Sequence, residues 1–241
     1  MTSSPTRKFS FISSGEASLY MSETLSSSNT LGTVIFIPAL LEEMNASRHL
    51  SSLAALELAS HGLHCIQFDL FGTGDSSGDL QDATLELWQQ NITDISAYAQ
   101  TQSVAPIHFI ALRAGALLAP SSLPNNSQIW AWHPILKGRH WAKPIQRTAA
   151  LLSQQDAEKQ CLEYAGYAIP KALLESMSKL DKTADVDAQH TFYIDDLAPQ
   201  NSDTLGSIQV HTSPFWVHQE LEDRDYTAWI EQTITHLTSY Q

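Results

Sequence analysis

Residues 106–119 read PIHFIALRAGALLA, and this stretch decides the architecture. Pro106–Ala111 is a short apolar run of the length expected of a buried strand. A helical run of small and apolar residues begins at Ala114, only three residues on. The same rhythm extends outward in both directions. Upstream, Thr33–Pro38 (TVIFIP) is a second apolar, β-branched run, which suits a strand buried on both faces. A helix is expected over Ser47–Ser60, with Leu50, Leu53, Ala54 and Leu58 on one face and Gly62 in the C-terminal capping position. His64–Leu70 reads as the next strand. The glycine-rich FGTGDSSGD (71–79) follows, then a helix with an apolar stripe of Leu85, Trp88, Ile92, Ile95 and Ala99. Downstream, Gln128–Trp132 reads as a further strand. Strands alternating with helices predict an α/β fold with a mostly parallel, doubly covered sheet.

The flanks are read differently. Residues 1–8 are expected to be a loose tail. KFSFI (8–12) and SLYMS (18–22) are expected to form two short antiparallel strands, with a polar connection over Ser22–Thr30. Residues 134–188 break the alternation and read as a helical insertion, clearest at Ala142–Gln160 and Pro170–Leu180, placed as a lid over the sheet. Strands resume at His190–Ile194 and Ser207–His211. A last helix over Asp223–Leu237 is expected to turn Trp229, Ile230 and Ile234 inward. A chain of 241 residues suits a single domain over 1–241.

Composition narrows the partners. With 26 acidic and 13 basic side chains, the net charge is −13. Such a chain is repelled by nucleic-acid phosphates and by anionic membranes, so a small molecule or a protein is the expected partner. The two cysteines, Cys65 and Cys161, the second in a helical pattern, do not make a disulfide framework. The N-terminus lacks the apolar stretch of a signal peptide, and no segment is apolar for long enough to cross a membrane. A cytoplasmic location is expected. Without secretion, the Asn-x-Ser/Thr matches at Asn45, Asn91 and Asn125 carry no information. His61 with His64, and His133 with His140, lack metal-ligand spacing. Nothing in the sequence calls for a metal or a cofactor.

In doubly wound sheets, ligands bind beyond the carboxyl ends of the strands, and the candidates all lie there. Ala111-Leu112-Arg113-Ala114-Gly115 has the context of a nucleophile elbow, Gly-x-Ser-x-Gly, in which small flanks let strand and helix approach closely. Arg113 stands where the serine would. A guanidinium stays protonated and is no nucleophile; beside a helix N-terminus it suits an anion. An internal ion pair is the open alternative. Glu42, Glu43, Asn45 and Arg48 follow the TVIFIP strand, where a hydrolase places its oxyanion-hole loop. Glu42 and Glu43 are the expected partners of Arg113 and the floor of a polar pocket, whereas Asn45 and Ser47 equally suit helix capping. Asp69, Gly72 and Gly74 form a tight loop whose glycine spacing departs from the dinucleotide fingerprint. Trp216 and His218 follow the last strand, where a catalytic histidine would sit. Asp195 and Asp196 occupy the place of a triad acid. His218, Asp195 and Asp196 are weak catalytic candidates, because no nucleophile is present for them to serve.

These segments resemble one family, the exosortase A system-associated hydrolases of the second type. PALLEEMNASR (38–48) is similar to the family's PPFAEEMNKSR. DLFGTGDSSGD (69–79) is similar to its Asp-Leu-x-Gly-x-Gly-Asp-Ser-Ser-Gly-Asp. LRAGALLA (112–119) is similar to its Leu-Arg-x-Gly-Ala-Leu-Leu-Ala. Trp132-His133-Pro134, Ala165-Gly166-Tyr167 and Pro214-Phe215-Trp216 match further family words. The resemblance runs through most of the chain. It implies an α/β-hydrolase fold, an arginine at position 113 as a shared feature, and a role in bacteria that export exopolysaccharide and sort PEP-motif proteins. Ala111 and His133 depart from the family's usual glycine and glutamine, and the stretch between Asp196 and Ser207 is shorter than expected.

Three functions follow as alternatives. One is a binding protein with little or no serine-hydrolase activity, holding an anionic or polar small molecule at Arg113. Another is an esterase or thioesterase with a non-standard nucleophile or a carboxylate-activated water. The third is an accessory component of the polysaccharide or sorting machinery.

Overall fold

The computed structural model describes residues 4–27, 30–123, 126–152, 160–183, 191–194, 207–208, 216 and 227–239. The strands are β1 (Thr6–Ser14), β2 (Ala17–Leu25), β3 (Gly32–Ile37), β4 (Leu63–Phe68), β5 (Ile107–Leu112), β6 (Ile129–Trp132), β7 (Cys161–Tyr164), β8 (Tyr167–Pro170), β9 (Thr191–Ile194) and β10 (Ser207–Ile208). The helices are α1 (Glu42–Ser60), α2 (Leu85–Gln102), α3 (Gly138–Leu152), α4 (Lys171–Ser178) and α5 (Thr227–Ser239). Eight strands form one sheet in the order β1-β2-β4-β3-β5-β6-β9-β10. β2 pairs antiparallel with both β1 and β4, and every later pairing in that sheet is parallel.

The apolar runs explain the centre. Every residue of β3, β5 and β6 is buried, as expected of strands covered on both faces. Two cores result. One packs Trp88, Ile92, Ile95 and Ala99 of α2, with Trp141 of α3 and Leu173 and Met177 of α4, against one face of the sheet. The other packs Leu50, Ala54 and Leu58 of α1, with Ile230 and Ile234 of α5, against the opposite face. Gly62 closes α1 at a φ of 93°. Leu53 is 41% exposed, so it lies off the buried face expected for it. The side chain of Trp229 lies outside the described residues.

Several expected boundaries move. The tail is shorter than residues 1–8, because β1 begins at Thr6, and the polar connection starts later, because β2 continues to Leu25. Both strands gain length from ladder pairing along a register that runs from Thr6↔Leu25 to Ser14↔Ala17. α1 begins at Glu42, five residues before its expected start. Asn45 and Ser47 therefore lie inside the helix and do not cap it. Leu41 holds the cap position at φ 56°, ψ −131°, with no side-chain cap bond. The helix expected from Ala114 is a single 3-10 segment, Arg113–Leu118. The insertion at 134–188 is not purely helical. α3 ends by Leu152, residues 153–159 lie outside the described set, and Cys161 opens the β7–β8 hairpin, which turns at Ala165-Gly166. Alternation over only four residues per strand was too short to separate from a helical pattern.

Candidate functional site

The carboxyl ends of β3, β5 and β6 meet around one guanidinium. Arg113 directly follows β5 with φ 51°, the left-handed region that non-glycine residues rarely adopt. Leu41, beyond β3, and His133, directly after β6, also take positive φ, 56° and 46°. Such conformations cost about 1–3 kcal/mol each and gather where the surroundings fix a side chain's direction. The close approach that makes this turn possible is visible at Gly115. A Cβ there would stand 2.3 Å from the Pro38 carbonyl oxygen, so no side chain fits. The Ile135 amide donates to the Arg113 carbonyl at 3.0 Å, tying the turn to the chain leaving β6.

Each nitrogen of the guanidinium is engaged. Nε and Nη2 of Arg113 donate to Glu43 Oε1 at 3.2 and 3.0 Å, and Nη1 donates to the His133 carbonyl at 2.9 Å. The Trp216 ring lies 3.9 Å from Cζ, a cation–π contact, and packs against the His133 ring at 4.9 Å. The Arg113 and Glu43 side chains are 16% and 23% exposed. Arg113 thus sits in an ion pair, with its net charge cancelled at short range. Oε2 of Glu43 is buried and accepts no hydrogen bond among the described residues. An acceptor left that way costs about 1–3 kcal/mol.

Among the described residues Glu42 does not pair with Arg113; it lies beside Tyr167 of β8. The Asn45 amide donates to Tyr167 Oη at 3.2 Å. Burial, then the neighbouring Glu42 carboxylate, raises the Tyr167 phenol above its ordinary pKa. Tyr167 belongs to the β7–β8 hairpin, so this contact ties that hairpin to the first turn of α1. The FGTGDSSGD loop is built around Asp69, which is 3% exposed. Asp69 accepts from Arg48 Nη2 and from the Asp75 amide, both at 2.9 Å. Gly72 and Gly74 take positive φ, and a Cβ on either would collide with Asp79 or with Asp69. In this geometry Asp69, Gly72 and Gly74 hold the turn's shape and do not present a free reactive group. His218, Asp195 and Asp196 lie outside the described residues. No cluster of three metal-ligating side chains occurs among the described residues, and no described helix is long and apolar enough to cross a membrane.

The His133 carbonyl and Tyr167 were not singled out as site groups from sequence. A backbone acceptor leaves no trace in residue type, and Tyr167 lies in a hairpin that reads as part of a helical insertion. The resemblance at Trp132-His133-Pro134 and Ala165-Gly166-Tyr167 was the available signal for both.

Comparison with known proteins fixes the fold. No protein-family model matches the chain, and no curated protein matches it. Solved structures do. Est1E from Butyrivibrio proteoclasticus, solved with ferulic acid bound, superposes with a TM-score of 0.54 at 15% identity, covering 77% of each chain. A hypothetical protein from Pseudomonas aeruginosa superposes with a TM-score of 0.55 at 15% identity, covering 80% of this chain and 78% of its own. This chain has the α/β-hydrolase fold. The β7–β8 hairpin lies between β6 and β9 in the chain. Arg113 stands on the positive-φ turn between β5 and the 3-10 segment. The turn aims its guanidinium into a carboxylate, a carbonyl and an indole.

Proposed function

We propose that this chain is a binding protein on an α/β-hydrolase scaffold, with little or no serine-hydrolase activity, holding a polar small molecule at the Arg113–Glu43–Trp216 site. The observation that carries this reading is the bonding of Arg113. Its charge is answered by Glu43, so a simple anion gains little there. Among the described residues, Glu43 Oε2 has no hydrogen-bond donor. A hydroxyl-bearing ligand of the saccharide kind supplies that donor and offers acceptors to the outward edge of the guanidinium. This chemistry agrees with the polysaccharide and protein-sorting setting implied by the resemblance to the exosortase A-associated family. The unpaired thiols of Cys65 and Cys161 agree with a cytoplasmic location.

The test is a titration with a panel of neutral and acidic sugars, read by Trp fluorescence. Neutral sugars should bind, and Glu43→Gln should weaken them by about tenfold or more, since a hydrogen bond to a charged group contributes roughly 1.5–3 kcal/mol. Binding of acidic sugars alone, unaffected by Glu43→Gln, would refute the reading. The second reading, a water activated by Glu43, is favoured by the same oxygen. It requires p-nitrophenyl ester turnover above a control protein, lost in Glu43→Gln. A fluorophosphonate probe should leave the wild-type protein unlabelled, and stoichiometric labelling would restore the serine-hydrolase alternative.

A further inference from the structure

A second cleft lies on the α1 side of the sheet, between α1 and the β1–β2–β4 edge. It has a volume of about 150 Å³, and none of Arg113, Glu43, His133 or Trp216 lines it. Its origin is legible in α1. Ser47 and Ser51, one turn apart, are buried at positions facing this edge, 3% and 8% exposed, where helix-on-sheet packing ordinarily places large apolar side chains. Their hydroxyls donate back to the helix, to the Met44 carbonyl and to the Ser47 and Arg48 carbonyls. Their small size leaves the space open. Phe36, Leu112 and Met44 supply an apolar floor, and Phe9, 64% exposed, stands at the rim with its ring stacked on Tyr20.

Charge gives the cleft its sign. In a chain of net charge −13, it is lined by two arginines and one acid. Arg48 is answered by Asp69 at 2.9 Å. Arg7 donates to the Ser52 carbonyl at 2.9 Å and has no carboxylate partner among the described residues. One uncompensated guanidinium therefore borders an apolar-floored space of ~150 Å³, a size that holds a benzene ring.

We infer that this cleft is a second ligand site, taking a compact amphipathic monoanion: one carboxylate on an apolar body about the size of a single ring. The carboxylate pairs with Arg7, in the fork geometry that guanidinium offers. The ring displaces water from the Phe36–Leu112–Met44 floor. Ser47, Ser51 and Gln67 accept any remaining polar edge.

The probes are benzoate and its neutral counterpart benzyl alcohol, titrated into the full chain and followed by amide NMR. Benzoate should shift the amides of residues 7–9 and 47–52 and saturate in the millimolar range, as befits a ligand this small. Benzyl alcohol should bind about tenfold more weakly, the weight of one charge-assisted hydrogen bond. Arg7→Gln, an exposed change that leaves the core intact, should bring benzoate down to the level of benzyl alcohol. Ser51→Leu should fill the space and abolish both. Three outcomes overturn the inference: no shifts at the cleft, equal binding of the two probes, or benzoate binding that survives Arg7→Gln but is lost in Trp216→Ala. The last would place the anion at the Arg113 site.

Discussion

A single side chain decides what this elbow can do. Arg113→Ser restores the residue type of a nucleophile but leaves Glu43 beside it, partly buried, with neither of its oxygens paired to a guanidinium. The expected outcome is no gain of esterase activity, with fluorophosphonate labelling still absent. A loss of stability of about 1–3 kcal/mol should accompany it, the cost of a buried acceptor left unmade. Urea denaturation of Arg113→Ser, Glu43→Gln and the double variant closes the cycle. The double variant should recover part of the loss, because it removes both members of the pair; additive losses would show that the pair is not coupled. At this scale much was legible. The spacing around Arg113 located the tight turn after β5, and the acids after TVIFIP named its ion-pair partner to within one residue, Glu43 rather than Glu42. The choice between them was not legible. It depends on α1 starting at Glu42, which sets which of two adjacent side chains faces β5, and a positive φ at Leu41 starts that helix without any capping side chain.

The strand–turn–helix unit around Arg113 depends on an approach of backbones that no rotamer change relieves. Gly115 sits under the Pro38 carbonyl at the end of β3, and a Cβ would meet Ile37 and Pro38 oxygens at 2.9 and 2.3 Å. Gly115→Ala should therefore destabilise the protein by about 1–3 kcal/mol or more, as overpacking does. It should also move Arg113 off Glu43, read as a loss of sugar binding in excess of the stability change. An Ala variant with unchanged melting and unchanged binding would show that the two backbones separate freely. Elements with long runs or stripes were readable: β3, β5 and β6 from uninterrupted apolar stretches, α2 from Trp88, Ile92, Ile95 and Ala99. The β7–β8 hairpin was not. Leu162, Tyr164, Tyr167 and Ile169 turn to the core while Glu163 and Ala168 turn out, but four residues per strand are too few to separate that alternation from a helical pattern. Through Tyr167 that hairpin contacts Asn45 of α1.

At the scale of the molecule, two buried histidines make stability depend on pH. His108 lies in β5, 5% exposed, with Nδ1 unbonded among the described residues. Burial lowers its pKa from 6.5 to about 4. His64 is lowered too, by burial first, with the Glu23 carboxylate at 3.1 Å opposing the shift. The folded chain therefore keeps His108 neutral in a range where the unfolded chain protonates it. Above pH 6.5 both states are neutral and the residue contributes no slope. As pH falls from 6.5 towards 4, the unfolded state gains a proton that the folded state refuses, and stability drops, by about 3 kcal/mol at most for a shift of this size. The net charge acts in the opposite sense. At −13 the folded chain repels itself at neutral pH, and carboxylate protonation on approach to the pI of about 5.0 relieves that repulsion. The two effects separate by substitution. Urea midpoints measured between pH 7 and 5.5 should fall in the wild type, and the fall should be clearly shallower in His108→Gln, which keeps a polar side chain but cannot titrate. Comparing slopes rather than midpoints removes any general cost of the substitution. Parallel slopes in the two proteins would show that His108 is protonated in the folded state and that burial in β5 does not hold it neutral.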